Sequence, residues 1–416
     1  MAGGVRALAL RGAPARVYAT AALQHRVPMP QGHRLLAILL GALTALGPLG
    51  VDMYLPAFPA MAEAMGATPG AIQRTLATFL LGMAVGQLAY GPLSDRIGRR
   101  RPLFVGLAVF TLASVGCALA DDATVLAWLR LLQALGGCVG VVVARAVVRD
   151  VSDERGAVRM QAMLMLAMGA APILAPMFGG WLLAGLGWRS IFWVLAGYGV
   201  LAAICVAVLL PESLPPERRR RDSPAQIVTV YLSILRDRRF LSCALAGALP
   251  MTGLFAYLVA SPHVLMQVHG LDPVTYGVAF GANAFGLILA SQVIARLVRT
   301  HAPAVLLDRA LMVQAAVGVS ALLATLSGLL WPLLAALFLY LSLMGAVLPM
   351  AGAMAMAPLG RVAGSASALI GTLQFGSGAI VGVLLGAFGG AAAWPMGALL
   401  ACAGVAGLVV HRVLRR

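Results

Sequence analysis

The chain has 416 residues, 61% hydrophobic and only 11% charged, with a mean hydropathy of +0.93. A soluble protein of this length carries about 25% charged residues, so this chain cannot cover a globule with polar groups, and lipid must be its solvent. The formal charge of +16 comes from 30 basic residues, all of them Arg; they stand between apolar stretches and form no basic stripe, which argues against a nucleic-acid partner.

Residues 1–33 carry Arg6, Arg11, Arg16 and Arg26 and no acid. Such a composition has the look of an import leader, but a compact apolar core is missing. A disordered extension is expected instead, with Met29 as an alternative start. At about 20 apolar residues per crossing, six spans follow at about 35–57, 72–93, 102–120, 123–145, 160–184 and 189–210. Asp121 and Asp122 separate the third from the fourth. After the polar stretch PESLPPERRRRDSPAQ, six more fall at about 240–265, 273–295, 304–328, 331–356, 363–388 and 390–411. The least marked boundary is the turn around Ser327 to Pro332.

The expected protein is therefore an all-α membrane protein of twelve transmembrane helices in two sets of six, at 34–210 and 240–416, joined by a cytoplasmic linker at 211–239. The positive-inside rule tests the count. With both termini cytoplasmic, every arginine falls inside except Arg74 and Arg189 outside and Arg130 within a span. One miscounted span would scramble that partition.

The five cysteines, at 117, 138, 205, 243 and 402, lie singly in apolar runs, and the six histidines are scattered. Neither set has metal-ligand or disulfide spacing, so no metal, disulfide framework or cofactor is expected.

Charge concentrates in GPLSDRIGRRR, between the second and third spans. Anchoring by positive charge explains the arginines but not the offsets of Gly91, Asp95, Arg96, Gly98, Arg99 and Arg100. Gly91-x-x-x-Asp95-Arg96-x-Gly98-Arg99-Arg100 resembles the signature loop of the major facilitator superfamily. There the glycines permit a tight turn and close helix approach. Asp95, at the end of the second span, is expected to accept bonds from Arg residues, and the resemblance implies that it also faces the positive N-terminus of the eleventh span, as a latch between halves made when the cytoplasmic side is closed.

Further stretches narrow the resemblance: DMYLPAFP (52–59), RLLQALGG (130–137), GAAPILAPMFGG (169–180), PES (211–213) and AGSASALIGTLQF (363–375). Together with GQLAYGPLSDRIGRR (86–100) they are similar to the Bcr/CflA group of drug/proton antiporters, over residues 34–412. That resemblance implies the major facilitator fold of two six-helix bundles, open alternately to each side, and export of drug-like small molecules driven by proton entry. The motif of the fifth span, Pro172, Ala175, Pro176, Gly179 and Gly180, separates exporters from importers in such proteins; Ala175 stands where Gly is usual. Proline kinks and small-residue packing are the alternative account of it. Gly378, Gly382 and Gly386 in the eleventh span read as packing alone.

Two ionisable groups lie well inside the hydrocarbon, Asp52 and Arg130, each costing about 2.5–3.5 kcal/mol at mid-membrane. Asp52 falls about 9 Å outward of its span's centre and Arg130 about 6 Å, at 1.5 Å per residue. They share a level and are expected to form a proton site, an acid tuned by a fixed cation, as in proton-coupled relatives. A purely structural ion pair is the alternative. Tyr54, Gln133, Asn283 and Gln374 are candidate substrate contacts, and Tyr257, Met344 and Phe375 candidate walls of an apolar cavity; each is as readily helix glue. A proton-coupled importer of a small metabolite is the nearest rival function. An embedded enzyme would need a cluster of catalytic groups, and a channel would need rings of charge. The absence of Lys beside abundant Ala, Gly and Arg suggests a bacterial source, and a monomer in the inner membrane is expected.

Overall fold

The computed structural model describes residues 33–152, 160, 164, 171, 174–219, 223–359, 362–387 and 393–415. These residues form helices and connecting turns, with no strand among them. Helix α1 (His33–Asp52) leads through a 3-10 turn (Leu55–Ala57) into α2 (Phe58–Ala64). Next come α3 (Pro69–Ile97), α4 (Arg100–Leu119), α5 (Ala123–Val151), α6 (Leu174–Leu186) and α7 (Arg189–Leu209). A short helix, α8 (Pro224–Arg236), precedes α9 (Arg238–Ser261), which continues as a π-helix (Pro262–Val268). The rest is α10 (Pro273–Leu297), α11 (Pro303–Ser327), α12 (Leu330–Met356), α13 (Ala363–Ala387) and α14 (Trp394–Arg415).

Eleven helical runs among the described residues are long and apolar enough to cross a membrane. They coincide with the expected spans to within a few residues, the first excepted. That span runs on through α2 to Ala64, so Asp52 lies nearer its middle than a span ending at residue 57 would put it. Of the fifth expected span, 160–184, residues 161–163, 165–170 and 172–173 lie outside the described residues. The turn around Ser327 is two residues long, Gly328 and Leu329.

Helix starts are written in the sequence. Thr68, Asp122, Asp237 and Asp272 each accept hydrogen bonds from first-turn amides with their side chains, and Pro69, Pro273 and Pro303 open helices where no N–H is required. At the exposed Asp122, the Val125 and Thr124 amides hold the carboxyl below its usual range. Large apolar side chains such as Leu112, Val208, Ile380 and Trp331 point outward; only hydrocarbon covers such a surface without penalty.

Helices of the first half pack mainly on one another, as do those of the second. The halves meet along α3 and α13. Thr372 Oγ1 donates across this seam to the Ala84 carbonyl at 3.1 Å. Gly378, Gly382 and Gly386 face Leu80, Ala77 and Gly70 there, the packing role expected of them. On the face carrying Arg74 and Arg189, α2 also meets the π-helix, and Met177 of α6 approaches Gly277 of α10.

Candidate functional site

The fourth span can bring an arginine to the centre of the first half because its facing residues are small. A Cβ on Gly140 would run into the Leu43 carbonyl, so α5 and α1 pack backbone on backbone. Arg130, 0% exposed, ends in a cage. Its Nη2 donates to the Gly50 carbonyl at 2.6 Å, and its Nη1 donates to Gln133 Oε1. Its guanidinium carbon lies 4.1 Å from the ring centres of Tyr54 and Phe79 and 5.7 Å from that of Phe192. Aromatic faces attract a desolvated cation, so rings, an amide and a carbonyl do here what a carboxylate does elsewhere. Gln133 is fixed in turn: its Nε2 donates to Ser114 Oγ at 2.7 Å, and Ser114 donates to the Phe110 carbonyl.

Asp52 ends α1 and is 4% exposed. It has the level expected of it, since Gly50 and Tyr54 on either side of it both touch Arg130. The expected ion pair is not made: no salt bridge joins Asp52 to Arg130, and Asp52 has no hydrogen bond among the described residues. The two charges face different ways. Arg130 acts on Tyr54 and Cys117, whereas Asp52 lies within electrostatic reach of Tyr257 and Tyr276 in the second half. The geometry places a buried, unpaired carboxyl where the halves face each other, on a helix gripped from behind by a caged arginine.

The other candidate contacts divide. Tyr54 and Gln133 are fully buried and occupied with Arg130, so in this state they are walls of its cage and present nothing to a ligand. Asn283 Nδ2 donates to Tyr257 Oη at 3.0 Å, and Tyr257 stacks on Phe280. Ser261 and Tyr276 share a second hydroxyl pair at 3.0 Å. Gln374 stands apart on α13, near Gly247 of α9. Met344 is wholly buried in core packing, while Phe375 lies 6.0 Å from Phe255. Phe79, Phe192 and Ser114, which complete the arginine's surroundings, carry no signal in sequence that separates them from ordinary core.

The fifth-span motif bears on the same place. A Cβ on Gly179 would run into the Met53 carbonyl, next to Asp52, so α6 lies directly on the end of α1. Ala175 and Pro176 are buried beside it, and Gly180 meets nothing. Pro172 lies outside the described residues.

At the opposite end, the charged loop is a closed network. Arg99, 3% exposed, donates to Asp95 Oδ1 at 2.6 Å, Ser94 Oγ at 2.8 Å and Asp150 Oδ2 at 2.8 Å. Burial alone would lower its guanidinium, but Asp150 and Asp95 hold it above its ordinary value. Glu212 of the PES stretch accepts the backbone N–H of Arg99, Arg100 and Leu214 at 2.8–3.3 Å, capping the start of α4. Gly98 turns the chain at φ +94, where a side chain would meet Glu212. Two expectations need correcting, those for Gly91 and Asp95. Gly91 is helical with open space around it, so the turn rests on Gly98 alone. Arg96 is exposed. Asp95 bonds to Arg99 within its own half, and the first turns of α13 are met by α5, through Arg149 at Gly364 and Arg145 at Ser367.

The sequence profile of the Major Facilitator Superfamily matches residues 40–383. The chain is 37% identical over 375 residues to the Bacillus subtilis protein named "Uncharacterized MFS-type transporter YdgK", covering 89% of this chain and 93% of that one. It is 30% identical over 349 residues to the "Bicyclomycin resistance protein homolog" of Haemophilus influenzae, covering 84% and 88%. Among solved structures it shares its fold with the human organic anion transporter MFSD10 (TETRAN), at a TM-score of 0.69 and 16% identity over 93% of this chain and all of that one.

Proposed function

The chain belongs to the major facilitator superfamily and, within it, to the Bcr/CflA group of drug transporters, and from that premise we propose that it exports drug-like molecules in exchange for protons. It is a multi-pass membrane transporter and no enzyme. In this reading twelve helices cross the bacterial inner membrane with both termini and the Arg-rich loops in the cytoplasm. The face where α2 meets the π-helix is then the outer one, and it is closed.

One observation carries the reading: Asp52 is a buried carboxyl with no partner among the described residues, at the junction of the halves. A charged carboxylate out of water is costly unless paired, so Asp52 is the group with most to gain from a proton. Relatives named for bicyclomycin, chloramphenicol and multidrug resistance support the substrate class. The test is gradient dissipation in everted vesicles with an acid interior. Ethidium, chloramphenicol or bicyclomycin added to the bath should collapse the pH difference as each enters in exchange for protons. An importer that moves substrate and proton together would leave the gradient standing, and that outcome overturns the exporter reading.

In this reading the loop network braces the cytoplasmic end of the first half, tying the ends of α3, α4 and α5 together. Asp95→Asn removes one of the two carboxylates on Arg99 and leaves Asp150, so the fold should survive. The brace should loosen, and reporter cysteines at the cytoplasmic ends of α3 and α5 should label severalfold faster. Unchanged labelling with full activity would reduce the loop to a topological anchor.

A further inference from the structure

Helix α8, between the two sets of spans, has 13 residues, too few to cross a bilayer. Its start is well fixed: Ser223 and Gln226 form a capping box, each side chain accepting the other's backbone N–H. Its far end is fixed in depth. Asp237 alone separates it from the crossing run that starts at Arg238, and the Asp237 carboxyl caps that run by accepting the Arg239 and Phe240 amides. The last turn of α8 therefore stands at the edge of the hydrocarbon.

At 3.6 residues per turn, α8 divides into three sectors. In the first, Ile234 is buried in one cluster with Phe240 of α9 and with Ala366 and Leu369 of α13. Beside it Tyr231 Oη donates to the Leu88 carbonyl of α3 at 3.1 Å, so α8 touches both halves at one end of the α3–α13 seam. The second sector, Gln226, Thr229 and Ser233, is polar and exposed. The third holds Val228 and Leu232, one turn apart and 54% and 49% exposed. That is an apolar strip beside a polar one, on a helix pinned at the membrane boundary, the pattern of an interfacial helix.

The charge around the strip says what covers it. Residues 217–239 hold seven arginines against three acids. Of these arginines, Arg218, Arg236, Arg238 and Arg239 are exposed and make no ion pair among the described residues. Arginines clustered on an amphipathic helix at a membrane surface fit anionic headgroups. We propose that α8 lies among the anionic phospholipids of the cytoplasmic leaflet, with Val228 and Leu232 toward the acyl chains, and there holds the α3–α13 seam shut. Lipid fixes α8 at the boundary, and Tyr231 and Ile234 pass that position on to α3 and α13. A ligand that binds one state better draws the population to it, so anionic lipid favours the state in which both halves meet on α8. The inference takes from the proposed function only that this face is cytoplasmic.

The test uses the full chain, its five native cysteines replaced by Ser, in nanodiscs of zwitterionic lipid with or without phosphatidylglycerol. Both leaflets then carry the same lipid, so the outcome does not depend on which face is cytoplasmic. With phosphatidylglycerol present, a fluorescent probe on Leu232→Cys should be quenched by lipid brominated near its headgroup and shielded from aqueous acrylamide. Spin labels at Arg101→Cys and Ala357→Cys, exposed positions in opposite halves, should draw together in the same lipid. Arg236→Gln, Arg238→Gln and Arg239→Gln should each lower the ratio of seated to free α8 about fivefold, the effect of one arginine at an anionic surface. Equal access of acrylamide with and without phosphatidylglycerol overturns the anionic-lipid contact, as does a response that survives when all three arginines are Gln. Shielding that appears in detergent and rises with protein concentration puts a second copy on the strip and overturns the lipid. A shielded probe with unmoved spin labels overturns the hold on the seam.

Discussion

Asp52→Asn abolishes proton-driven efflux and leaves the protein folded. The side chain has no hydrogen bond or ion pair to lose among the described residues, and the amide is isosteric, so the packing of α1 against α5 is untouched. Replacing a buried, unpaired carboxyl by a neutral group also removes the cost of charging it away from water. Thermal unfolding in detergent should therefore match the parent within about 1 kcal/mol or favour the variant. Transport should not survive, because Asn cannot take up and release a proton between pH 5 and 9. Gradient-driven uptake into everted vesicles should fall to the background of empty membranes, while binding of ethidium to the purified protein persists. The deciding measurement is substrate-induced proton release from purified protein in weakly buffered detergent solution. Normal release from Asp52→Asn would place the proton site elsewhere, whatever the vesicles show.

The spans were legible because a chain that must cross hydrocarbon has no freedom to hide the fact. Each crossing among the described residues is a long apolar run, and some starts are marked by Asp122, Asp272 or a first-turn Pro. The common level of Asp52 and Arg130 was legible for a related reason: each breaks such a run, and helical rise converts position into depth. What the sequence withheld is direction. Nothing in RLLQALGG says that the guanidinium turns away from Asp52 toward Gly50, Tyr54 and Phe79. Phe79 and Phe192 look like any core aromatic until a cation lies against them. Glu212 was visible as part of PES but not as the acceptor for three backbone amides, since its partners lie more than a hundred residues away, save Leu214. The resemblance alone made Asp95 a link between the halves; that an Arg would bond to it could be expected, but not that the Arg is Arg99 of its own half.

That withheld direction decides the second large prediction, on Arg130. If the arginine tuned Asp52 by its charge, removing it would shift the pH of proton release. The structure has it acting through shape: Arg130 binds the Gly50 carbonyl and stacks on Tyr54, and so fixes the last turn of α1 on which Asp52 stands. It is a positioning residue. Arg130→Met keeps much of the volume and packs well against Tyr54, Phe79 and Phe192. It strands the Gly50 carbonyl and Gln133 Oε1, at about 1–3 kcal/mol each, but removes a buried cation that has no carboxylate, which offsets the loss. Arg130→Lys keeps that cation as a compact ammonium that cannot lie flat between rings or reach both acceptors. The Lys variant should thus be the less stable of the two in thermal unfolding. Both should transport at least tenfold more slowly, because Asp52 is no longer held where the halves meet. In both, the pH at which substrate-induced proton release is half-maximal should stay at the parent's value. A midpoint that moves by a unit or more in Arg130→Met but not in Arg130→Lys would mean that charge reaches Asp52 after all, and the positioning role would fall.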